Sequence, residues 1–181
     1  MAEPEAALPV YEGPFTLENG VDVYIREIRP EDEAAMVAFH TGLSERSVYL
    51  RYFHLMRVDE RIRHERLARI CRGDPSEGLA LVAERVLPDR RVIIGVGRLS
   101  RNDVLPSEVA LLVADDYQGQ GLGTELLRRL VRVARALGVH RLLGEMIAEN
   151  DAMKEVARRV GFTIRPAPGD PQVVHADLDL P

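Results

Sequence analysis

Three alternating glycines, Gly119, Gly121 and Gly123, carry the first chemical signal in the 181-residue chain. Gln120 and Leu122 separate them, an apolar run over 109–113 precedes them, and a long amphipathic run follows from Leu122. Glycines let backbone N–H groups crowd around an anion. A helix that starts at the same place adds its own unpaired N–H groups and the positive end of its dipole. The spacing therefore predicts a pyrophosphate cradle built from the backbone of Gly119, Gln120, Gly121, Leu122, Gly123 and Thr124. Two familiar phosphate loops do not fit. The nucleoside triphosphate loop needs a lysine after its last glycine, and none follows Gly123. The dinucleotide fingerprint reads Gly-x-Gly-x-x-Gly after a first strand, whereas Gly-Gln-Gly-Leu-Gly lies past the middle of this chain.

Other chemistry is sparse. Cys71 is the single cysteine, which excludes an internal disulfide framework and fits a reducing cytoplasm. It is expected as a small buried residue rather than an acyl-carrying nucleophile. The five histidines show no short metal spacing, so no metal site is expected, and His140 reads as structural. The N-terminal MAEPEAALPVYEGP lacks the basic start and apolar run of a secretory signal, and no apolar stretch is long enough to span a bilayer. With a net charge of −5, the chain does not have the balance of a nucleic-acid binder. Arginine dominates its cations, since lysine occurs only at Lys154. Arg57, Arg61, Arg63, Arg66, Arg69 and Arg72 crowd one segment. They read either as a solvated helix face balanced by Asp59, Glu60 and Glu65, or as a surface for phosphates or an acidic partner.

The elements that must position the cradle follow from the punctuation of the chain. Residues 1–14 read as a loose tail. Asn19-Gly20 between alternating runs predicts a hairpin, with Val21, Val23 and Ile25 on one face and Asp22, Tyr24 and Arg26 on the other. Proline and carboxylates at 30–33 open a helix that Gly42 ends, Ser44 caps a second over 44–52, and a third is expected over 59–71. Strands are expected over 79–86, 91–100 and 107–114 as a meander. A helix over about 121–137, a strand over 141–150, a helix from 151 that Gly161 ends, and a last strand over 173–180 complete the order. No repeat or second domain is apparent.

Gln118-x-x-Gly121-x-Gly123 after a strand closely resembles the acetyl-CoA motif of the GNAT superfamily of N-acetyltransferases, Gln/Arg-x-x-Gly-x-Gly/Ala. The order of elements over residues 15–181 matches that family. VYIREIRPEDE and LSERSVYLRYF further resemble the opening of bacterial Pat-type protein lysine acetyltransferases, which occur alone or fused to other domains; a stand-alone catalytic domain is expected. The resemblance implies an α/β GNAT (acyl-CoA N-acyltransferase) fold, with a mixed, mostly antiparallel central sheet flanked by helices. It also implies acetyl-CoA as acyl donor, no metal, and direct transfer to an amine.

The resemblance assigns roles as well. Gln118 belongs to the cofactor motif, backbone groups of Leu111 and Val113 pair with the pantetheine arm, and Asn150 hydrogen-bonds the same arm or caps the next helix. Glu108, ten residues before Gln118, takes the place of the general base, with Glu145 in reserve. A lysine ammonium has a pKa near 10.4, so a partly desolvated carboxylate is suited to accept its proton. Alternation places Glu108 on the face of Ala110 and Leu112. Many relatives carry a thiolate-protonating tyrosine where this chain has Ala157. Tyr49, Arg51 and Tyr52 are candidates for the acceptor wall. The expected acceptor is a protein lysine, with an acyl-CoA synthetase as the family's typical target. A small-amine acetyltransferase and a non-catalytic acyl-CoA-binding regulator are the alternatives. Neither a nucleic-acid nor a membrane partner is expected, and the protein is expected as a monomer or homodimer.

Overall fold

The computed structural model describes residues 11–74 and 76–181. Eight strands form one sheet: β1 (Gly13–Thr16), β2 (Asp22–Glu27), β3 (Gly78–Val86), β4 (Arg91–Ser100), β5 (Ser107–Val113), β6 (Arg141–Ile147), β7 (Thr163–Ala167) and β8 (Asp170–Asp179). Their order across the sheet is β1-β2-β3-β4-β5-β6-β8-β7. Every neighbouring pair is antiparallel except β5 with β6. Helices α1 (Glu33–Thr41), α2 (Glu45–Tyr52), α3 (Val58–Arg61) and α4 (His64–Arg72) cover one face, while α5 (Leu122–Ala136) and α6 (Asp151–Val160) cover the other. This is the GNAT fold anticipated from the order of elements.

Strand alternation feeds both layers. Ala80 and Val82 of β3 pack under α1–α4, and Leu81 and Ala83 pack under α5. On β4, Gly95 and Gly97 make room for α5. A Cβ on either would lie 3.1 Å from a methyl carbon of Leu122 or Leu130, so the helix presses directly on the backbone. The apolar stripe of α5, with Leu122, Leu126, Leu130 and Val133, fills that contact.

Several expectations need correction. The helix expected over 59–71 is broken: Ile62 leaves the helical region at φ −95° and Arg63 is extended before α4 begins. Residues 148–150 form a turn rather than the end of β6. An unforeseen strand, β7, pairs with β8, which itself begins at Asp170 rather than at 173. Pro166 is tolerated there because β7 is the sheet edge. Residues 1–10 of the expected tail lie outside the described residues, while Gly13 and Pro14 belong to β1.

Arg26 is buried, although Asp22 and Tyr24 on the same face are exposed. It is 7% exposed and donates two 2.8 Å bonds to Asp32 and one to Glu84, which Arg91 also reaches at 2.8 Å. Burial pushes the pKa of both carboxylates up, but the guanidinium bonds outweigh it and hold each below its ordinary value. Removing the cation leaves buried Asp32 without an ion pair and buried Glu84 with Arg91 alone. Arg26→Met is therefore expected to cost about 3–5 kcal/mol in urea unfolding, and a loss under about 1 kcal/mol would contradict this account of the cluster.

His40 offers a second check. It is 2% exposed, its Nδ1 has no partner among the described residues, and burial, followed by the charges of Arg66, Arg61 and Arg51, pushes its pKa down to about 4. Between the ordinary histidine value of 6.5 and about 4 the unfolded chain binds the proton more readily. Its contribution to stability is thus complete above 6.5 and is lost as pH falls towards 4. The paired carboxylates lose theirs only below about 4.5. Melting temperature should fall between pH 7 and 4.5, and His40→Leu should flatten that slope; an unchanged slope would refute the assignment.

Candidate active site

Gly119 and Gly121 hold left-handed backbone, at φ +67° and +86°, and Gly121 is the N-cap of α5 without any side-chain cap. An L side chain is strained in that conformation, which explains both glycines. Among the described residues no acceptor meets any backbone N–H over 119–124; the first bond of the helix runs from Glu125 N–H to Gly121 O at 3.1 Å. That row of unpaired donors at a helix N-terminus has the geometry that an anion cradle requires. Gly119, Gly121, Gly123 and Thr124 line a cleft of about 450 Å³, while the side chain of Leu122 turns into the core. Gln120 contributes its carbonyl, which accepts from Glu18 N–H at 3.1 Å and ties the turn to the β1–β2 loop.

The cleft exists because β5 and β6 part. Their pairing covers only Ser107 with Leu142 and Glu108 with Leu143. Beyond that, the antiparallel alternation with β4 decides which backbone groups are open. Ala114 N–H bonds Ile94 O at 2.9 Å, so even-numbered residues of β5 face β4 and Val109, Leu111 and Val113 face the gap. Leu111 and Val113 thus present backbone along the cleft wall, as expected. The Val113 carbonyl is already used, because Gln118 Nε2 donates to it at 2.9 Å.

Gln118 also donates to Ser47 Oγ at 2.9 Å, Ser47 Oγ donates to Asp115 at 2.8 Å, and Asp115 accepts from the N–H and Oγ of Ser44. Burial raises the Asp115 pKa, and these bonds more than reverse it. The motif glutamine therefore fastens α2 to the end of β5 from a position on the cleft wall. The sequence reading missed this network, although Ser44 and Ser47 one turn apart were its trace. Asn150 caps α6 by accepting from Met153 N–H at 3.1 Å and lines the cleft as well. The cap uses only its oxygen, and the amide NH2 has no partner among the described residues.

Glu108 and Glu145 lie on the α2 face of the sheet, one on each parting strand. Continuous register from Glu108 to Val113 leaves no bulge, so Glu108 shares its face with Ala110 and Leu112 as alternation required. Glu145 lines the cleft and meets His175 Nε2 at 3.1 Å; Glu108 is exposed beside the cleft rather than on its wall. Arg51 lines the cleft, and Tyr52 stands behind it with Arg51 over its ring at 4.9 Å. Tyr49 is half-buried on α2 and does not line the cleft. Ala157, where relatives have tyrosine, is buried on the cleft wall and supplies no proton. Cys71 is buried in the α1–α4 layer, where burial pushes its thiol up to about 11, away from nucleophilic use. His140 is exposed, and its carbonyl anchors Leu180 N–H at 2.8 Å. Among the described residues no group of His, Cys, Asp and Glu could hold a metal, and no helix is long and apolar enough to cross a membrane.

One feature of the cradle opposes an anion. The Glu18 carboxylate lines the cleft, with Oε1 3.4 Å from where a Cβ of Gly121 would stand. Glu18→Gln should therefore tighten coenzyme A binding about 2–5-fold at low salt. Calorimetric titration checks this, and a weaker complex would mean that Glu18 holds the loop rather than opposing the ligand.

Residues 22–163 match the family model described as an acetyltransferase (GNAT) domain. The chain is 30% identical over 162 residues to acetyltransferase PA5475 of Pseudomonas aeruginosa, covering 88% of this chain and 86% of that protein. It is 29% identical over 174 residues to acetyltransferase Pat of Mycolicibacterium smegmatis, covering 93% of this chain but only 49% of that longer protein. Among solved structures, the GNAT domain of S. lividans PAT superposes with a TM-score of 0.81 at 27% identity, covering 95% of this chain and 99% of that one. With the glycine cradle, the parted strands and the family match in agreement, the chain belongs to the GNAT superfamily of acetyltransferases.

Proposed function

We propose that this acetyl-CoA-dependent acetyltransferase acts in the cytoplasm, as a single domain over residues 15–181, on a lysine ε-amine of a protein. The observation that carries the reading is the continuity of the cleft. It runs from the cradle at Gly119 and Gly121, along the open backbone of Leu111 and Val113, to the α2 face where Arg51 and Glu145 stand. Donor and amine can thus meet across β5, and no covalent enzyme intermediate is needed. Likeness to the two proteins named Pat or PAT supports a protein acceptor.

In this reading, the N–H groups over 119–124 hold the pyrophosphate. The Leu111 N–H and carbonyl, the Val113 N–H and the Asn150 amide align the pantetheine arm. A β5 N–H in the gap donates to the thioester oxygen as negative charge develops there. Glu108 is the base. It precedes Leu111 by three residues, about 10 Å of strand, so its proton arrives through a bridging water. Its charge acts on the Arg51 guanidinium, which supports a position near the cleft's acceptor end. Glu145 is engaged by His175 and orients the amine. With Ala157 unable to donate, the thiolate leaves with a proton from water, which the low basicity of a thiolate permits.

The test is mass spectrometry of acetyl transfer to a purified acyl-CoA synthetase. Transfer to one lysine is expected, with kcat/KM lowered about 100-fold or more in Glu108→Gln and much less in Glu145→Gln, while coenzyme A affinity is retained. The reverse ranking would make Glu145 the base. Transfer to small amines alone would move the acceptor out of the protein class, and binding without any transfer would leave a regulator.

A further inference from the structure

A second, smaller cavity of about 30 Å³ lies on the α1–α4 face of β5. Met36, Phe39 and His40 of α1, Arg51 and Tyr52 of α2, and Arg66 and Ile70 of α4 enclose it against Val96 and Arg98 of β4. Ala110, Leu111, Leu112 and Arg51 belong to its wall and to that of the large cleft alike. The two cavities are therefore separated by little more than the β5 backbone, at the place where the acceptor amine must reach the donor.

Its charge is unbalanced. Of the buried arginines, Arg26 has Asp32 and Glu84 and Arg129 has Glu125 together with three backbone carbonyls, while Arg61 has no ion pair among the described residues; around the cavity Arg51 and Arg66 are half-buried and Arg98 is exposed. Among the described residues none of Arg51, Arg66 and Arg98 forms an ion pair. Arg66 donates to Tyr52 Oη at 2.9 Å and to the Arg61 carbonyl at 2.9 Å, and Arg51 rests over the Tyr52 ring. Arg98 makes no hydrogen bond at all among the described residues. The Nδ1 of His40, on the same wall and almost wholly buried, is also unpartnered. Desolvation lowers the pKa of Arg51 and Arg98; Arg98 and Arg66 add to this at Arg51, Arg66 and Arg69 add to it at Arg98, and Tyr52, with Glu108 or Glu77, offsets part of it. Three guanidinium groups without a carboxylate partner, converging with a buried imidazole on one cavity, make a place suited to an anion.

We infer that this cavity is an anion subsite that seats a carboxylate carried by the acceptor, next to the amine to be acetylated. The volume suits a planar carboxylate head and not a sugar or a phosphorylated nucleoside. The phosphates of coenzyme A are met by the cradle across β5. A carboxylate also resolves an electrostatic conflict, because three guanidinium groups repel an incoming ammonium and an anion on the same molecule cancels that repulsion. The inference rests on the amine entering from the α2 face, as proposed above. The source of the carboxylate is either an Asp or Glu near the target lysine of a protein or the carboxylate of a free amino acid, and the two are separable.

The test uses acceptor twins that differ only in that charge: lysine peptides with Glu or Gln at each position from −3 to +3, and free lysine against cadaverine. The acidic twin should show about 10-fold or higher kcat/KM at low salt, shrinking as salt rises. In Arg98→Met and in Arg66→Met the ratio should fall towards one, with Arg98→Lys retaining part of it. A purely structural role would lower both twins alike and leave the ratio intact. Discrimination among peptides names a protein source, and discrimination confined to lysine over cadaverine names an amino acid while overturning the protein-lysine reading alone. Equal rates for all twins, or a ratio that survives both methionine variants, overturns the subsite. If no acceptor is turned over, the acceptor reading fails and thermal shift decides the subsite: N-acetylglutamate should raise the melting temperature of the parent protein but not of Arg98→Met, and equal shifts overturn it.

Discussion

The parallel pairing of β5 with β6 stops after Glu108 and Leu143, and the rest of the molecule is arranged around that parting. A central sheet leaves N–H and C=O groups unpaired only at a cost, on the order of 1–3 kcal/mol for each one kept from water. Here the cost is contained on one side by Gln118, whose amide takes the Val113 carbonyl. The remaining groups of Leu111 and Val113 stay open along the cleft. The same amide reaches Ser47, and through Ser47 and Asp115 it fixes the first turn of α2 against the end of β5. Opening the sheet and positioning its acceptor wall are one event.

The α5 helix makes the complementary adjustment on the other face. Because Gly95 and Gly97 let Leu122, Leu126 and Leu130 press on β4, the N-terminus of α5 arrives level with the end of β5. The unpaired N–H groups over 119–124 then point into the gap that the strands have left. A larger residue at either glycine would lift the helix and separate the cradle from the strand edge it serves. The donor site thus depends on two absences of side chain in β4, directly across from Val113 and Leu111.

These local signals are what made the donor side legible in the amino-acid sequence. Glycines at 119, 121 and 123 and the helix that follows are contiguous, so their spacing reports their geometry directly. Helix caps at Ser44 and Asn150 and the hairpin at Asn19-Gly20 were legible for the same reason. What was not legible depends on residues distant in the chain. Nothing local announces the burial of Arg26 before Asp32 and Glu84 are brought to it, the break at Ile62 and Arg63 has no glycine or proline to announce it, and β7 is an exposed edge without alternation. The role of Gln118 was visible as a motif but not as a clamp, because its partner Ser47 lies 71 residues away.

The same division separates the two halves of the reaction. In the proposed reading, donor recognition uses backbone N–H groups over 119–124 and the strand edge of Leu111 and Val113, so it is written in conformation rather than in side chains. Acceptor recognition uses Arg51, Arg66, Arg98 and His40, drawn from three helices and a strand and written entirely in side chains. A chain can therefore keep the family's fold and donor while its acceptor changes with a few substitutions on the far side of β5. The unmatched arginines are where this chain's own specificity is recorded. Their charge cannot be explained by the donor, whose phosphates lie across the sheet, nor by stability, to which unpaired and partly desolvated cations contribute unfavourably.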